Sequence, residues 1–222
     1  MRKSLLFGIL TVNTLLPAQA SLYSVGNVNG SGTELNQTIY DASPSGITST
    51  LLVGGADTSL TDVNVTLNVA GGYNGDLYAY LVAPNGTLVV LLNRVGTGSG
   101  NPSQNYFGYS TAGFGNMMLD DSATGGSIHN VANPGSMPTV SYTPDGGSLA
   151  SLNGVDPNGT WTLFFADQAG GNTSTLNGWS LDITAVPEPV NVALGIFGGL
   201  LAAAGLFKAN TTKKSTATPT CV

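Results

Sequence analysis

The chain has 222 residues, of which 41% are hydrophobic, 12 are acidic and six are basic, with one cysteine and one histidine. A single cysteine excludes an intramolecular disulfide framework, and one cysteine with one histidine cannot build a zinc site of the usual nitrogen and sulfur type. The length suits one all-β domain with appendages, and the apolar share is sufficient for a sizeable core.

Residues 1–20 have the three parts of a secretory signal peptide in order. A basic start precedes an apolar stretch over 5–16, and 18–20 form an Ala-x-Ala site. The apolar stretch is too short to span a bilayer. The sequence therefore predicts export, with cleavage between Ala20 and Ser21; the alternative is a buried N-terminal strand.

The segment 21–185 holds eleven acidic residues and a single base, Arg94. So few positive charges argue against binding to nucleic acid or to anionic lipid head groups. The balance suits the binding of cations, or simply solubility in a salty exterior.

Period-two alternation predicts strands within 36–185, after an N-terminal segment over 21–35. Apolar and polar residues alternate in four segments, at 62–69, 77–81, 161–165 and 179–183. The run 88–92 is typical of a strand buried on both faces, and six Asn-Gly pairs supply the positive φ of tight turns. Helical periodicity is confined to the termini, apart from one turn near 148–152. These features predict an all-β sandwich, most specifically a jelly roll.

Short blocks in a fixed order over about 36–184 resemble the P domain, also called P/Homo B. The blocks are Pro44–Ser49, Asp62–Val65, Tyr73–Leu77, Pro84–Thr87, Leu119–Ala123, Tyr142–Pro144, Gly159–Leu163 and Leu176–Leu181. In that family the module follows the catalytic domain of subtilisin-like proprotein convertases and of many bacterial secreted proteases. The resemblance implies a jelly-roll sandwich.

The resemblance also implies a non-catalytic chain, because the family's protease is a separate domain upstream. A Ser-His-Asp triad needs a histidine as its base, and the single candidate, His129, lies in a stretch over 124–136 that is typical of a surface loop. The Gly-Thr-Ser context of a subtilisin-type nucleophile is missing from the sequence. No spacing identifies a carboxylate pair for glycoside hydrolysis either.

A structural calcium ion is a further implication of the resemblance, because some bacterial P domains and related jelly rolls hold calcium. Calcium prefers carboxylate, carbonyl and water oxygens. Asp76 and Asp120 are the first predicted ligands and Asp121 is the next, while Asp167 lies near another turn. The alternative is that Asp76 and Asp121 cap turns by accepting hydrogen bonds from backbone amides.

Five tyrosines suggest a second kind of binding, a platform on which sugar rings stack. They are Tyr73, Tyr78, Tyr80, Tyr106 and Tyr109. The alternative is that they fill strand faces and loop bases.

The C-terminal part consists of Pro187, Glu188 and Pro189, an apolar run over 190–207, and a tail over 208–222 with three lysines. The run is long enough for a transmembrane helix whose C-terminus lies in the cytoplasm; the alternative is a buried core helix. This order resembles the PEP-CTERM sorting signal of Gram-negative bacteria. The resemblance implies recognition by an exosortase, a membrane-embedded cysteine protease that releases or attaches its substrates in the extracellular polysaccharide layer.

These patterns predict a non-catalytic secreted protein of the cell surface or exopolysaccharide matrix. Its partners would be the exosortase, then polysaccharide or another surface protein. The alternative is an accessory or stabilising module for a separately encoded subtilisin-like serine endopeptidase.

Overall fold

The structure is a computed structural model that describes residues 19–26, 35–98, 107–131, 141–188 and 194–201. Strands and short 3₁₀ helices account for the regular structure between residues 21 and 186 of this part. The strands are β1 (Ser21–Gly26), β2 (Gln37–Ile39), β3 (Ile47–Val53), β4 (Ser59–Gly71), β5 (Leu77–Val82), β6 (Leu88–Asn93), β7 (Phe114–Leu119), β8 (Gly159–Asp167) and β9 (Ser174–Val186). The 3₁₀ helices are Asn74–Asp76, Ile128–Asn130 and Leu149–Leu152.

The strands form two sheets. One has the order β1-β9-β4-β7, with β2 also paired to β9, and the other has the order β3-β8-β5-β6. The strand pairs are antiparallel. From β2 to β9 the chain changes sheet at every step except β5 to β6, an alternation typical of a jelly roll. The predicted all-β sandwich is confirmed.

The core lies between the sheets and follows from the alternation of apolar residues. The inward positions 63, 65, 67 and 69 of β4 are at most 2% exposed. Trp161 on β8 and Trp179 on β9 are fully buried. The indole of Trp179 donates to the hydroxyl of Ser49 on β3 at 2.9 Å, and that of Trp161 donates to the Pro157 carbonyl at 2.8 Å. Both buried indole N–H groups therefore have acceptors, as a dry core requires.

Two features of the sandwich differ from the expectation. Residues 21–26, assigned from the sequence to an N-terminal segment, form β1 and pair with β9 from Ser21 opposite Ala185 to Gly26 opposite Ser180. The run 88–92 is not buried on both faces, because Leu88 is 50% exposed. It forms β6, which ends the order of the described strands in its sheet and pairs with β5.

Both termini lie largely outside the described residues. The predicted signal peptide is described only at 19–20, and Pro189 and most of 190–207 are likewise not described. Residues 194–201 are helical. Within the described part of the chain, no helix combines the length and the apolar character needed to cross a bilayer.

The strand registers define two ends of the sandwich. At one end, called the Asp76 end, β4 stops, β5 starts after the 3₁₀ helix Asn74–Asp76, and Leu77 is paired with Asp167. At the other end, called the Asp120 end, Ser59 is paired with Val186, and β7 stops just before Asp120.

Three loop segments cross in close contact at the Asp76 end. The Gly75 N–H donates to the Tyr109 carbonyl at 2.9 Å, and the Tyr109 N–H donates to the Val95 carbonyl at 3.1 Å. A Cβ on Gly75 would lie 2.5 Å from the Phe107 carbonyl oxygen and 2.6 Å from the Tyr109 nitrogen. Because these are backbone atoms, the crossing requires glycine at position 75.

We expect Gly75→Ala to lower the free energy of unfolding by about 1–3 kcal/mol, the usual cost of overpacking. The matched control is Gly54→Ala, whose added methyl group meets no atom within 4 Å. That control should be neutral or slightly stabilising, because alanine restricts the unfolded chain. Urea denaturation of both variants measures the difference, and equal stabilities would contradict the assigned crossing.

Candidate functional site

A cavity of about 310 Å³ opens at the Asp76 end. It is lined by Tyr73, Asp76, Phe107, Gly108, Tyr109, Ser110 and Gly170. The crossing at Gly75 holds the 107–110 segment against the 3₁₀ helix that carries Asp76. The cavity therefore combines aromatic side chains with a carboxylate.

Asp76 is buried and almost without partners. It is 3% exposed, and its nearest cation is Arg94, whose Nη2 lies 3.9 Å from Asp76 Oδ1. Arg94 Nε donates instead to the Gly75 carbonyl at 3.2 Å. Among the described residues, no donor forms a hydrogen bond with the Asp76 carboxylate. The other oxygen, Oδ2, lies on the side of Tyr73, since a Cβ on Gly171 would be 3.5 Å from Oδ2 and 2.7 Å from the Tyr73 ring.

Asp167, at the end of β8, adds a second buried carboxylate. It is fully buried; its Oδ1 accepts from the Ala169 N–H at 3.1 Å, whereas its Oδ2 has no hydrogen-bond partner. Asp41 also belongs to this end, where its carboxylate accepts from the Gly171 N–H at 2.8 Å. The cluster therefore consists of three carboxylates and one guanidinium.

Burial, and to a smaller extent the surplus of negative charge, makes ionisation of Asp76 and Asp167 harder. Burial raises the pKa of Asp76, the charges of Asp167 and Asp41 raise it further, and Arg94 lowers it. Burial likewise raises the pKa of Asp167, against the opposing effects of the Ala169 and Ala42 amides and of Arg94. A cation bound at this end would favour the ionised form of both carboxylates and so lower both pKa values.

Arg94 adopts a strained backbone conformation at the cluster. Its φ is 54°, in the left-handed region that costs a non-glycine residue energy. Such strain persists only where surrounding contacts fix it, and here the Arg94 N–H donates to the Leu77 carbonyl at 2.9 Å. The fold thus places the one base of the segment 21–185 beside Asp76.

The other two predicted calcium ligands lie at the Asp120 end. Asp120 Oδ1 accepts from the backbone N–H and the hydroxyl of Ser122, both at 2.7 Å. Asp121 Oδ2 accepts from the Ser148 hydroxyl and from the Ala150 N–H at 2.7 Å. Both carboxylates therefore hold loops in place. For Asp121, which accepts from the Ala150 N–H, this agrees with the alternative of a carboxylate bonded to backbone amides.

The three predicted ligands do not fit a single calcium site. Asp76 lies at the opposite end of the sandwich from Asp120 and Asp121. In the part of the chain that the structure describes, no three His, Cys, Asp or Glu side chains are arranged to hold a metal ion. Calcium binding by this chain stays a prediction, for which chelation is the test.

The predicted tyrosine platform divides between two places. Tyr73 and Tyr109 line the cavity. Tyr80 lies on the outer face of β5, stacked on Phe164 with ring centroids 4.6 Å apart, and Tyr78 meets Tyr80 edge-on. Tyr106 lies outside the described residues. The tyrosines therefore do not form one surface.

His129, the single histidine of the chain, has both ring nitrogens engaged. Nδ1 lies 2.8 Å from each carboxylate oxygen of Asp145, and Nε2 lies 2.7 Å from the Thr97 carbonyl. A carboxylate and a carbonyl both accept, so bonding to both requires a doubly protonated ring. Burial alone would lower the pKa of His129, but its bonds to Asp145 and Thr97 and the charge of Asp145 raise it. Among the described residues, the hydrogen-bond partners of the ring are Asp145 and Thr97, in two different loops, and neither is a serine.

Sequence reasoning missed two members of these clusters. Asp41 follows β2 in a turn with no periodic pattern, and only the fold brings it close to residues more than 100 positions away. Asp145 likewise meets His129 through loop packing. Arg94 did carry a signal, since a lone base in an acidic segment is expected beside carboxylates.

Comparison with known proteins gives a family match. The family model described as the proprotein convertase P-domain matches residues 60–183, more than half of the chain. No curated protein matches the sequence.

Among solved structures, two serine protease structures from Aeromonas sobria are similar. The crystal structure of the serine protease (ASP) in complex with the chaperone (ORF2) has 19% identity, covers 78% of this chain and 28% of that chain, and gives a TM-score of 0.48. The crystal structure of the serine protease of the same organism has 16% identity, covers 77% of this chain and 28% of that chain, and gives a TM-score of 0.41. This chain thus spans 28% of the length of each.

The His129 geometry predicts a pH-dependent stability. A pKa raised in the folded state gives stabilisation that is complete below the unfolded value of about 6.5 and is lost as pH rises through the folded value. We expect His129→Gln to cost about 1 kcal/mol more at about pH 5.5 than at about pH 8.5, by urea denaturation. Ser127→Ala is the control, because it removes a neutral cap from the same turn and should cost the same at both pH values.

Chelation tests the calcium prediction. Because the loops' own donors already satisfy Asp120 and Asp121, we expect EDTA to leave the melting temperature of the purified chain unchanged. Thermal unfolding followed by circular dichroism measures it. A fall in melting temperature that excess Ca²⁺ reverses would instead support a structural calcium ion.

Proposed function

This chain belongs to the proprotein convertase P-domain family, and from that premise we propose that it is an exported, non-catalytic module of the cell surface or exopolysaccharide matrix. The P domain is a non-catalytic module of subtilisin-like proteases. In our proposal the module acts independently of a subtilisin-like catalytic domain, and the two terminal signals determine its location. The signal peptide exports it, and an exosortase-type protease sorts it.

One observation carries this proposal, the agreement between the sandwich and the two signals. β1 begins at Ser21, the predicted first residue of the mature chain, and β9 ends at Val186, directly before the Pro-Glu-Pro motif. Cleavage at both signals would therefore remove no strand of the sandwich. A fold that needed residues beyond either signal would argue against the proposal.

The pairing of β1 with β9 also places both processing positions at the Asp120 end. Ser21 is the partner of Ala185 across the sheet. After Val186 the chain leaves regular structure, with Pro187 partly exposed and Glu188 exposed. Extended, accessible backbone of this kind suits binding by a protease, so the position of Glu188 supports processing here.

The alternative is an accessory module that stabilises or targets a separately encoded subtilisin-like serine endopeptidase. Family membership favours it, because P domains are modules of such proteases. In this case the predicted membrane helix over 190–207 would act as a permanent anchor. The two functions differ in where the chain ends and in what is recovered with it.

We expect the mature protein, isolated from the matrix fraction of its native host, to start at Ser21 and to end near Pro189. Mass spectrometry of both termini in matrix and envelope fractions measures this. A chain recovered only from the membrane, ending at Val222, would contradict sorting. Recovery of that uncleaved chain together with a subtilisin-like protease would favour the alternative.

A further inference from the structure

We propose that the cavity at the Asp76 end binds a protonated amino sugar, with its ammonium group on Asp76 Oδ2. This inference goes beyond the proposed function, since neither export nor sorting requires a ligand in this cavity. It rests on the charge balance at this end, on the free oxygen of Asp76 and on the cavity's aromatic walls.

The charge balance calls for a cation. Among the described residues, the carboxylates of Asp41 and Asp167 and the guanidinium of Arg94 are the charges that act on Asp76. The side chains of Asp76 and Asp167 are at least nine-tenths buried. Asp167 Oδ2 has no hydrogen-bond partner, and the Asp76 carboxylate receives only the 3.9 Å approach of Arg94. Buried carboxylates are normally paired and hydrogen-bonded. Asp76, the carboxylate that lines the cavity, therefore lacks a donor that a ligand would supply.

The geometry indicates where that donor binds. Arg94 approaches Oδ1 of Asp76, whereas Oδ2 and the Tyr73 ring both lie close to Gly171. An ammonium group at Oδ2 would form a charge-assisted hydrogen bond there and lie close to an aromatic ring. The position is therefore suited to N⁺–H donors.

The cavity is better suited to an organic cation than to a metal ion. Calcium needs six to eight oxygen ligands, and the described residues contain no group of three acidic or histidine side chains arranged around a metal. The cavity's volume of about 310 Å³ is that of a small-molecule site. Its walls include three aromatic side chains, Tyr73, Phe107 and Tyr109.

Among organic ammonium groups, the lining favours a sugar ring over a lysine side chain. Phe107 is 67% exposed and presents apolar ring surface, which suits the flat face of a pyranose. Ser110 and Tyr73 also line the cavity, and their hydroxyl groups can exchange hydrogen bonds with sugar hydroxyls. A lysine side chain carries no hydroxyl group for such bonds.

Calorimetric titration of the purified full-length chain tests the proposal with glucosamine as the probe. N-acetylglucosamine is the matched ligand, because acetylation removes the positive charge and keeps the ring. We expect glucosamine to bind at least about tenfold more tightly, the effect of one charge-assisted hydrogen bond. Equal affinities, or no binding of glucosamine, would overturn the proposal.

Asp76→Asn is the key variant, and we expect it to weaken glucosamine binding by at least about tenfold. Because burial disfavours the ionised form of Asp76, the variant should unfold at the same temperature as the wild type or higher. Asp62→Asn is the control; it removes one exposed carboxylate at the Asp120 end, far from the cavity, and should leave binding unchanged. Equal losses in both variants would overturn the assignment to the cavity.

Two further measurements distinguish an amino sugar from a basic peptide as the ligand, and the first of them uses the wild-type protein, so that it does not depend on the folding of a variant. In the wild-type protein, amide chemical shifts of Gly170 and Gly171 should change on adding glucosamine, and unchanged shifts would contradict the site. Nα-acetyl-lysine amide is the second probe. If it binds as tightly as glucosamine and is equally sensitive to Asp76→Asn, the amino-sugar assignment is overturned in favour of a basic peptide. All of these outcomes are independent of the chain's processed termini, so failure here leaves the proposed function untouched.

Discussion

The antiparallel pairing of β4 with β9 is the interaction on which the rest of the molecule depends. The register extends from Ser59 opposite Val186 to Gly71 opposite Ser174, with two shifts along its length. It places the loop that leads to Asp76 beside the loop that follows Asp167. At the other end it places Val186 next to the start of β4, while β1 extends the same sheet from Ser21. A slip of one residue would turn the inward side chains of β4 to the opposite face of the sheet.

The sandwich itself could be predicted from local sequence. Alternation at 62–69 and at 179–183 specifies strands with one buried face, and both segments lie within the β4–β9 pair. β1 was not predicted, because its alternation is weak and Leu22 remains 69% exposed. A short edge strand forms because it pairs with a neighbouring strand. The local sequence does not show which strand that neighbour is.

The site could be predicted only in part, for the same reason. Asp76 stands out because it occupies a turn between two clear strands. Its neighbours come from three other parts of the chain: Arg94 after β6, Asp167 at the end of β8, and Asp41 after β2. The sequence gives no indication that these loops meet, so Asp120 seemed an equally good companion for Asp76. The fold instead uses Asp120 and Asp121 to hold turns, which leaves the unsatisfied charge at the Asp76 end.

The direction of β9 has a mechanical consequence. Its C-terminal end leads towards the Pro-Glu-Pro segment, while the cavity lies past its N-terminal end, so a tether and a ligand would pull on opposite ends of the sheet. Such a load acts along the strands, and the hydrogen bonds between antiparallel strands lie perpendicular to that axis. The bonds joining β9 to β1 and β4 would therefore be sheared together rather than opened one after another. Under a load of this kind, β9 would separate from β1 and β4 only when many hydrogen bonds break together.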